Sequence, residues 1–242
     1  VVITDAVQIV DGGAVNERMA SMTSDSEGNI HVVWSRNTQH LYYSMLDPRA
    51  QTLIDVTQIS NGGGHRAWHP DIDIDSDDRI HIVWANKASQ HEILYTLLDP
   101  SLDDQDGSTA DDSTMSIIDD TEVTRRQQNR DWPAIAVDSQ NNAHIVWEDS
   151  YDRHDKYFQQ PQIYYKFLEI DEASREAITA IDSTLLTPII GHKGHPDIAI
   201  DADDLVQIAW DDTRGGKVEI VSPIDTSGSM YSEWADMCVV FY

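Results

Sequence analysis

The side chains able to act on a substrate are scattered along the chain. Arg66, Arg130, Glu148 and Asp211 each stand near a turn, and carboxylates and arginines gathered at one mouth are the equipment of glycosidic-bond cleavage. Order along the chain leaves open which of them converge. His31, His81 and His144 recur three positions before a tryptophan, with Gln207 in the fourth copy. A ring of imidazoles can hold a metal, but a residue repeated in a repeated strand usually meets the same packing demand each time, and the glutamine favours that structural role. Asp71, Asp73, Asp75 and Asp77 have the composition of a calcium loop, yet alternation with Ile72 and Ile74 puts the first three on one strand face instead of around an ion. Asp103, Asp104, Asp106, Asp111 and Asp112 fall in an insertion with Gly107, Ser108 and Thr109 that reads as a solvated loop. His69-Pro70, Trp132-Pro133 and His195-Pro196 each enter a repeat unit and read as a shape requirement that either ring can meet. No Gly-x-Ser-x-Gly elbow, His-Glu-x-x-His pair, phosphate loop or Cys/His zinc spacing occurs. Motifs therefore give catalysis little support.

The elements that must position these groups are repeats. Met22 to Trp34, Ile72 to Trp84, Ile135 to Trp147 and Ile198 to Trp210 share one pattern, in which Asp25, Asp75, Asp138 and Asp201 each precede their tryptophan by nine positions. Each copy holds two period-2 runs around a polar turn, as in Asp71 to Asp75 and Ile80 to Trp84, which predicts a hairpin. A third strand follows each Trp at Leu41 to Asp47, Ile93 to Asp99, Ile163 to Glu169 and Val218 to Asp225. A fourth lies at Asp55 to Ile59, Thr121 to Thr124 and Asp182 to Leu186, and the same pattern recurs at Asp5 to Ile9. Four antiparallel strands per unit predict an all-β fold, a β-propeller of four-stranded blades with four units visible. The strand at Asp5 to Ile9 is placed to complete the last blade and so protect its edge.

Composition limits the partners. Sixteen basic against forty-three acidic residues give a formal charge of −27, which repels nucleic-acid phosphates and anionic lipid headgroups. A lone cysteine, Cys238, forms no intrachain disulfide, and no apolar run reaches the length of a membrane span. Val1-Val2-Ile3-Thr4-Asp5 has no signal-peptide pattern and reads as the middle of a longer protein. The acidity suits an extracellular or cell-surface location.

The repeat units resemble the propeller repeats of bacterial and archaeal surface proteins related in shape to sialidases, over roughly residues 1 to 218. Sialidase-type Asp-boxes read Ser-x-Asp-x-Gly-x-Thr-Trp, and no segment here fits that spacing, so the resemblance implies fold more than activity. A second, shorter resemblance begins at Lys217. Lys217 to Met230, ending in Asp225-Thr226-Ser227-Gly228-Ser229, is similar to the opening of a von Willebrand factor type A domain. That family uses the Asp and two Ser hydroxyls to help hold Mg²⁺ or another divalent cation, which implies Asp225, Ser227 and Ser229 as metal ligands, with the family's later Thr and Asp ligands beyond Tyr242. Met230, Trp234, Met237, Cys238 and Phe241 then form the stripe of an amphipathic helix. The same segment also reads as the third strand of unit four, Glu219-Ile220-Val221 standing where Glu92-Ile93-Leu94 stands in unit two, followed by an ordinary polar turn.

These readings divide the chain into propeller repeats at 1–218 and, at 219–242, either the start of a type A domain or the last blade strand. The leading functional expectation is a non-enzymatic surface recognition or adhesion module that binds a protein or glycan, since repeat scaffolds serve most often as binding surfaces. The alternative is a sialidase-like glycan-active enzyme, which requires three arginines, a Tyr/Glu pair and an Asp at one mouth. A purely structural spacer requires no concave pocket. Trp34, Trp84, Trp147 and Trp210 are expected at equivalent sites, buried between blades.

Overall fold

The computed structural model describes residues 7–10, 15–60, 66–88, 91–103, 115–124, 129–150, 161–171, 173–187, 192–212 and 217–224. They form four antiparallel sheets in chain order. Blade one is β1 (Glu17–Ser24), β2 (Ile30–Arg36), β3 (His40–Leu46) and β4 (Thr52–Gln58); blade two is β5 (Ala67–Ile74), β6 (Ile80–Asn86), β7 (Glu92–Leu98) and β8 (Ser116–Glu122). Blade three is β9 (Asn129–Val137), β10 (Ala143–Ser150), β11 (Gln162–Asp171) and β12 (Glu176–Leu185); blade four is β13 (Lys193–Ile200), β14 (Val206–Asp212) and β15 (Lys217–Ile224). Among the described residues there is no α-helix. The all-β propeller expected from the repeats is what the chain forms.

Each blade is closed by the same turn. Asp25 Oδ1 accepts hydrogen bonds from the N–H groups of Glu27 and Asn29 at 3.0 and 2.7 Å. Asp75 does so from Asp77 and Arg79, Asp138 from Gln140 and Asn142, and Asp201 from Asp203 and Leu205. A carboxylate that caps its own loop in this way fixes a two-strand register, and the fourth residue of the turn is left-handed in every blade: Gly28, Asp78, Asn141 and Asp204.

Three of the four repeat tryptophans tie one blade to the next, while Trp34 packs within blade one and against Ile9 and Val10. Trp34, Trp84, Trp147 and Trp210 sit at equivalent places in the second strands and are all buried. Trp84 packs among residues of blades one and two, Trp147 among blades two and three, Trp210 among blades three and four. Inner strands β1, β5, β9 and β13 lie side by side in that order, and Asp71 staples three of them: its carboxylate accepts from Ser21 Oγ at 2.9 Å and from the Ile135 N–H at 3.0 Å. Asp73 accepts from the Val137 N–H at 2.8 Å. The alternating aspartates are thus inter-blade fasteners, and burial raises the pKa of both.

Three boundaries differ from expectation. The fourth strands start earlier, at Thr52, Ser116 and Glu176, because these outer strands bury few side chains and so show little alternation. The inner strands also start earlier, running through Pro70, Pro133 and Pro196. The ladder skips there, between Trp68 and Asp71 and between Gly194 and Asp197, and a proline without an N–H is tolerated at such a bulge. Finally, residues 1–6 lie outside the described set, and residues 7–10 form no strand: Ile9 and Val10 pack instead on Val32, Trp34 and Leu46 of blade one. Lys217–Ile224 is the third strand of blade four, paired with β14.

Candidate active site at the mouth of blades two to four

The chain's repeated histidines are structural. His31, His81 and His144 are buried, with Nδ1 2.8, 2.9 and 2.8 Å from the hydroxyls of Tyr43, Tyr95 and Tyr165. Their Nε2 atoms face Asp25, Asp75 and Asp138, each at 3.3 Å. Burial would raise these carboxyls, but hydrogen bonds outweigh it and hold all three below the ordinary carboxylate range. In blade four Gln207 Nε2 donates to Asp201 at 3.3 Å in the histidine's place. His81 and His144, hydrogen-bonded at both nitrogens in a packed strand, have no lone pair to offer a metal. His31 is buried in the same place with Nδ1 on Tyr43, and no cluster of three or more metal-binding side chains occurs among the described residues.

The opposite ends of the inner strands carry a different set of groups. Just before each bulge the backbone turns left-handed at Met19, His69, Trp132 and His195, with φ of 56°, 46°, 48° and 48°. Non-glycine residues in this region are strained by about 1–3 kcal/mol each, and such strain concentrates at functional sites. The turn swings the rings together. His69 stacks on Trp132 with centroids 3.6 Å apart and planes at 15°, and His195 stands perpendicular to Trp132 with centroids 4.5 Å apart and planes at 82°.

Around these rings stand three carboxyl groups from two blades. Asp131, beside Trp132 on β9, faces His69 Nδ1 at 2.7 Å and the Lys87 ammonium. Burial works to raise it, yet His69 and Lys87 prevail and keep it ionised below the usual range. Glu148 pairs with Asp131 across β9 and β10. Desolvation, then the charge of Asp131, push it up to about 7, against smaller opposing contributions from His195, including its backbone N–H, while Asp211 adds to the rise. Asp211, on β14, contacts His195 Nδ1 at 3.1 Å and is 48% exposed, while its other oxygen is buried with no hydrogen-bond partner among the described residues. Gly194 makes the arrangement fit: a β-carbon there would lie 2.9 Å from Glu148 Oε2 and 3.2 Å from Asp211 Oδ1.

Two further cations near the mouth are engaged. Arg130 Nε binds Asp149 Oδ2 at 3.0 Å in the interior of blade three, and Lys193 pairs with Asp212 in blade four. In blade one the same pair is reversed, Glu17 on the inner strand holding Arg36 at 2.6 Å. Of the four groups that sequence picked out, Glu148 and Asp211 converge, Arg130 is a buried pair, and Arg66 donates its backbone N–H to Asn86. Three arginines, as a sialidase-like mouth requires, do not meet among these residues. Sequence reasoning missed Asp131 and read His69, Trp132 and His195 as shape alone; the usable signal was that the aligned positions Ser35, Ala85, Glu148 and Asp211 break an otherwise regular repeat. Asp225, Ser227 and Ser229, with the stripe from Met230, lie outside the described residues.

No protein-family model matches the chain, and neither does any curated protein. Solved structures do match in shape. A GH43_1 enzyme from Xanthomonas citri superposes with a TM-score of 0.55 at 9% identity, over 88% of this chain and 72% of that one. An exo-1,5-alpha-L-arabinanase from a bovine ruminal metagenomic library gives 0.52 at 10% identity, over 86% and 74%. A protein of unknown function from Dyadobacter fermentans gives 0.55 at 8%, over 90% and 68%. None of these likenesses supports a type A domain. They also correct the leading functional expectation, a non-enzymatic adhesion module: the named neighbours of stated function are a GH43_1 enzyme and an arabinanase. At such low identity what they establish is architecture: the chain has the β-propeller fold of these proteins.

Proposed function

We propose that this chain is a glycan-active hydrolase whose acid–base site is the mouth of blades two to four. The observation that carries the reading is Glu148, a carboxyl raised to about 7 beside an ionised Asp131. Two carboxyls driven to opposite protonation states by their surroundings divide the roles of acid and base. Glu148 supplies the proton to the leaving oxygen as the glycosidic C–O bond breaks. Asp211, half exposed and steadied by His195, takes a proton from the attacking water. Asp131, locked by His69 and Lys87, stays negative and keeps the proton on Glu148. An extracellular or surface location suits an enzyme with a polymeric glycan as substrate.

The test is hydrolysis of chromogenic α-L-arabinofuranosides, β-D-xylosides and sialosides by the purified chain and by Glu148→Gln. General-acid removal lowers kcat/KM by about 10²–10⁴-fold, and the parent's rate falls as pH rises through about 7. A variant as active as its parent, or a parent inert on the whole panel, removes the hydrolase reading.

A further inference from the structure

Trp132 is the anomaly of the mouth. The four repeat tryptophans are buried, whereas Trp132 is 38% exposed although it sits on an inner strand. Its ring is not loose: His69 lies flat against it and His195 stands perpendicular to it. Each of these imidazoles is in turn fixed by a carboxylate, His69 by Asp131 and His195 by Asp211, so the indole is held by two ring–carboxylate props from neighbouring blades. All three ring-bearing residues keep a left-handed backbone immediately before a proline, a conformation that the residue preceding proline does not favour. A braced ring that stays 38% exposed serves no packing purpose, since none of the three rings is part of a buried hydrophobic cluster.

We propose that Trp132 is a preformed stacking platform for an uncharged sugar ring, with the Nε2 edges of His69 and His195 turned to the sugar's hydroxyls; the assignment of a sugar rests on the glycan-active reading of the same mouth. An indole face is apolar with negative π density, and it suits the C–H face of a pyranose or furanose. Rigid bracing lowers the entropic cost of ordering the ring on binding. The restriction to uncharged sugars follows from charge. Asp131, Glu148 and Asp211 surround the platform, while Lys87, Lys193 and Arg130 are each paired to an aspartate of their own surroundings. A ligand carboxylate would meet these three carboxyl groups of its own sign, while the Lys87, Lys193 and Arg130 charges are already matched.

Isothermal titration calorimetry on the hydrolysis-silenced Glu148→Gln chain tests this with two probes of similar length, a neutral arabino- or xylo-oligosaccharide and an oligogalacturonate. The neutral probe binds, and the acidic one binds at least about tenfold more weakly. Trp132→Ala in the same background weakens the neutral probe by about ten- to a hundredfold, and Trp132→Phe, which restores an aromatic face, recovers most of the loss. Equal affinity for both probes, no binding of the neutral probe, or an alanine variant that binds like its parent overturns the platform. The two readings separate cleanly. Neutral binding without turnover by the unmutated chain leaves the platform and removes the hydrolase; turnover with a KM indifferent to Trp132→Ala does the reverse.

Discussion

At the turn end of the blades Asp25, Asp75, Asp138 and Asp201 hold the same loop through the same two backbone bonds, and behind it a His or Gln reaches back to the same aspartate. At the mouth end, on the same strands, the left-handed bend and its bulge recur while most side chains differ. The residues aligned there are Glu17, Ala67, Arg130 and Lys193, then Arg18, Trp68, Asp131 and Gly194, then Ser35, Ala85, Glu148 and Asp211. A repeated residue solves a problem that every blade shares, and that problem is folding. Departures from the repeat at the mouth are free of this duty, and they are where an Asp131 held below the usual carboxylate range, a Glu148 raised to about 7 and a braced Trp132 accumulate.

The contrast is sharpest between two tryptophans. Trp84 is fully buried at the join of blades one and two, with Ile72, Ile80, Leu94 and Tyr43 in the same cluster. Replacement by alanine removes a large apolar surface and leaves a cavity that rigid sheets cannot close, at about 3–5 kcal/mol. Trp132→Ala loses two ring contacts but leaves no buried cavity, so it costs about 1–2 kcal/mol. Denaturant unfolding of both variants reads the difference, and comparable losses would mean that the mouth is as structural as the joins.

How much of this could be read beforehand follows from the same division. The Asp-to-Trp interval announced hairpins, blades and buried tryptophans because it recurs with period-2 alternation on either side. Inner-strand residues upstream of Pro70, Pro133 and Pro196 gave no such signal, since the bulge there breaks the alternation and a proline suggests a strand's edge. His69, Asp131, Trp132 and His195 all lie on that hidden stretch or at its margin. Glu148 and Asp211 were visible as carboxylates near turns, but their approach depends on Gly194 and on blades three and four being adjacent. Asp131 becomes significant only once Lys87, from another blade, is seen against it.

A smaller effect probes the mouth through pH. In the folded chain Glu148 keeps its proton up to about pH 7, whereas its ordinary value is 4.5. Its folded pKa is raised, so the stability tied to its proton is complete below pH 4.5 and is lost as pH rises through 7. Allowing for its partial exposure, the loss amounts to about 1–2 kcal/mol. Glu148→Gln has no proton to lose. Unfolding free energies of parent and variant should therefore diverge between pH 4.5 and 7, the parent falling, and then run parallel; parallel curves throughout would show Glu148 to be an ordinary carboxylate.

The smallest effect belongs to the turn end. Ser139 donates its N–H and hydroxyl to Asp204 of the next blade at 2.9 and 2.6 Å. Ser26 does the same to Asp78, and Ser76 to Asn141. Two positions lack the parts: Ala202 stands where a serine would reach forward from blade four, and Gly28 where a side chain would receive it in blade one. Three such latches therefore serve the three joins between consecutive blades. Each is solvent-exposed, where water competes for the same groups, so Ser139→Ala should cost about 0.5–1 kcal/mol even though its hydrogen bond is short and charge-assisted. A double-mutant cycle with Asp204→Ala isolates the hydroxyl–carboxylate bond, because the backbone N–H of residue 139 is present with and without the serine hydroxyl. The coupling should be positive but no more than about 1 kcal/mol. A coupling of several kcal/mol would make the latches, and not the buried tryptophans, the main fastening between blades, whereas additive losses would leave them as spacing features with no energetic part in the join.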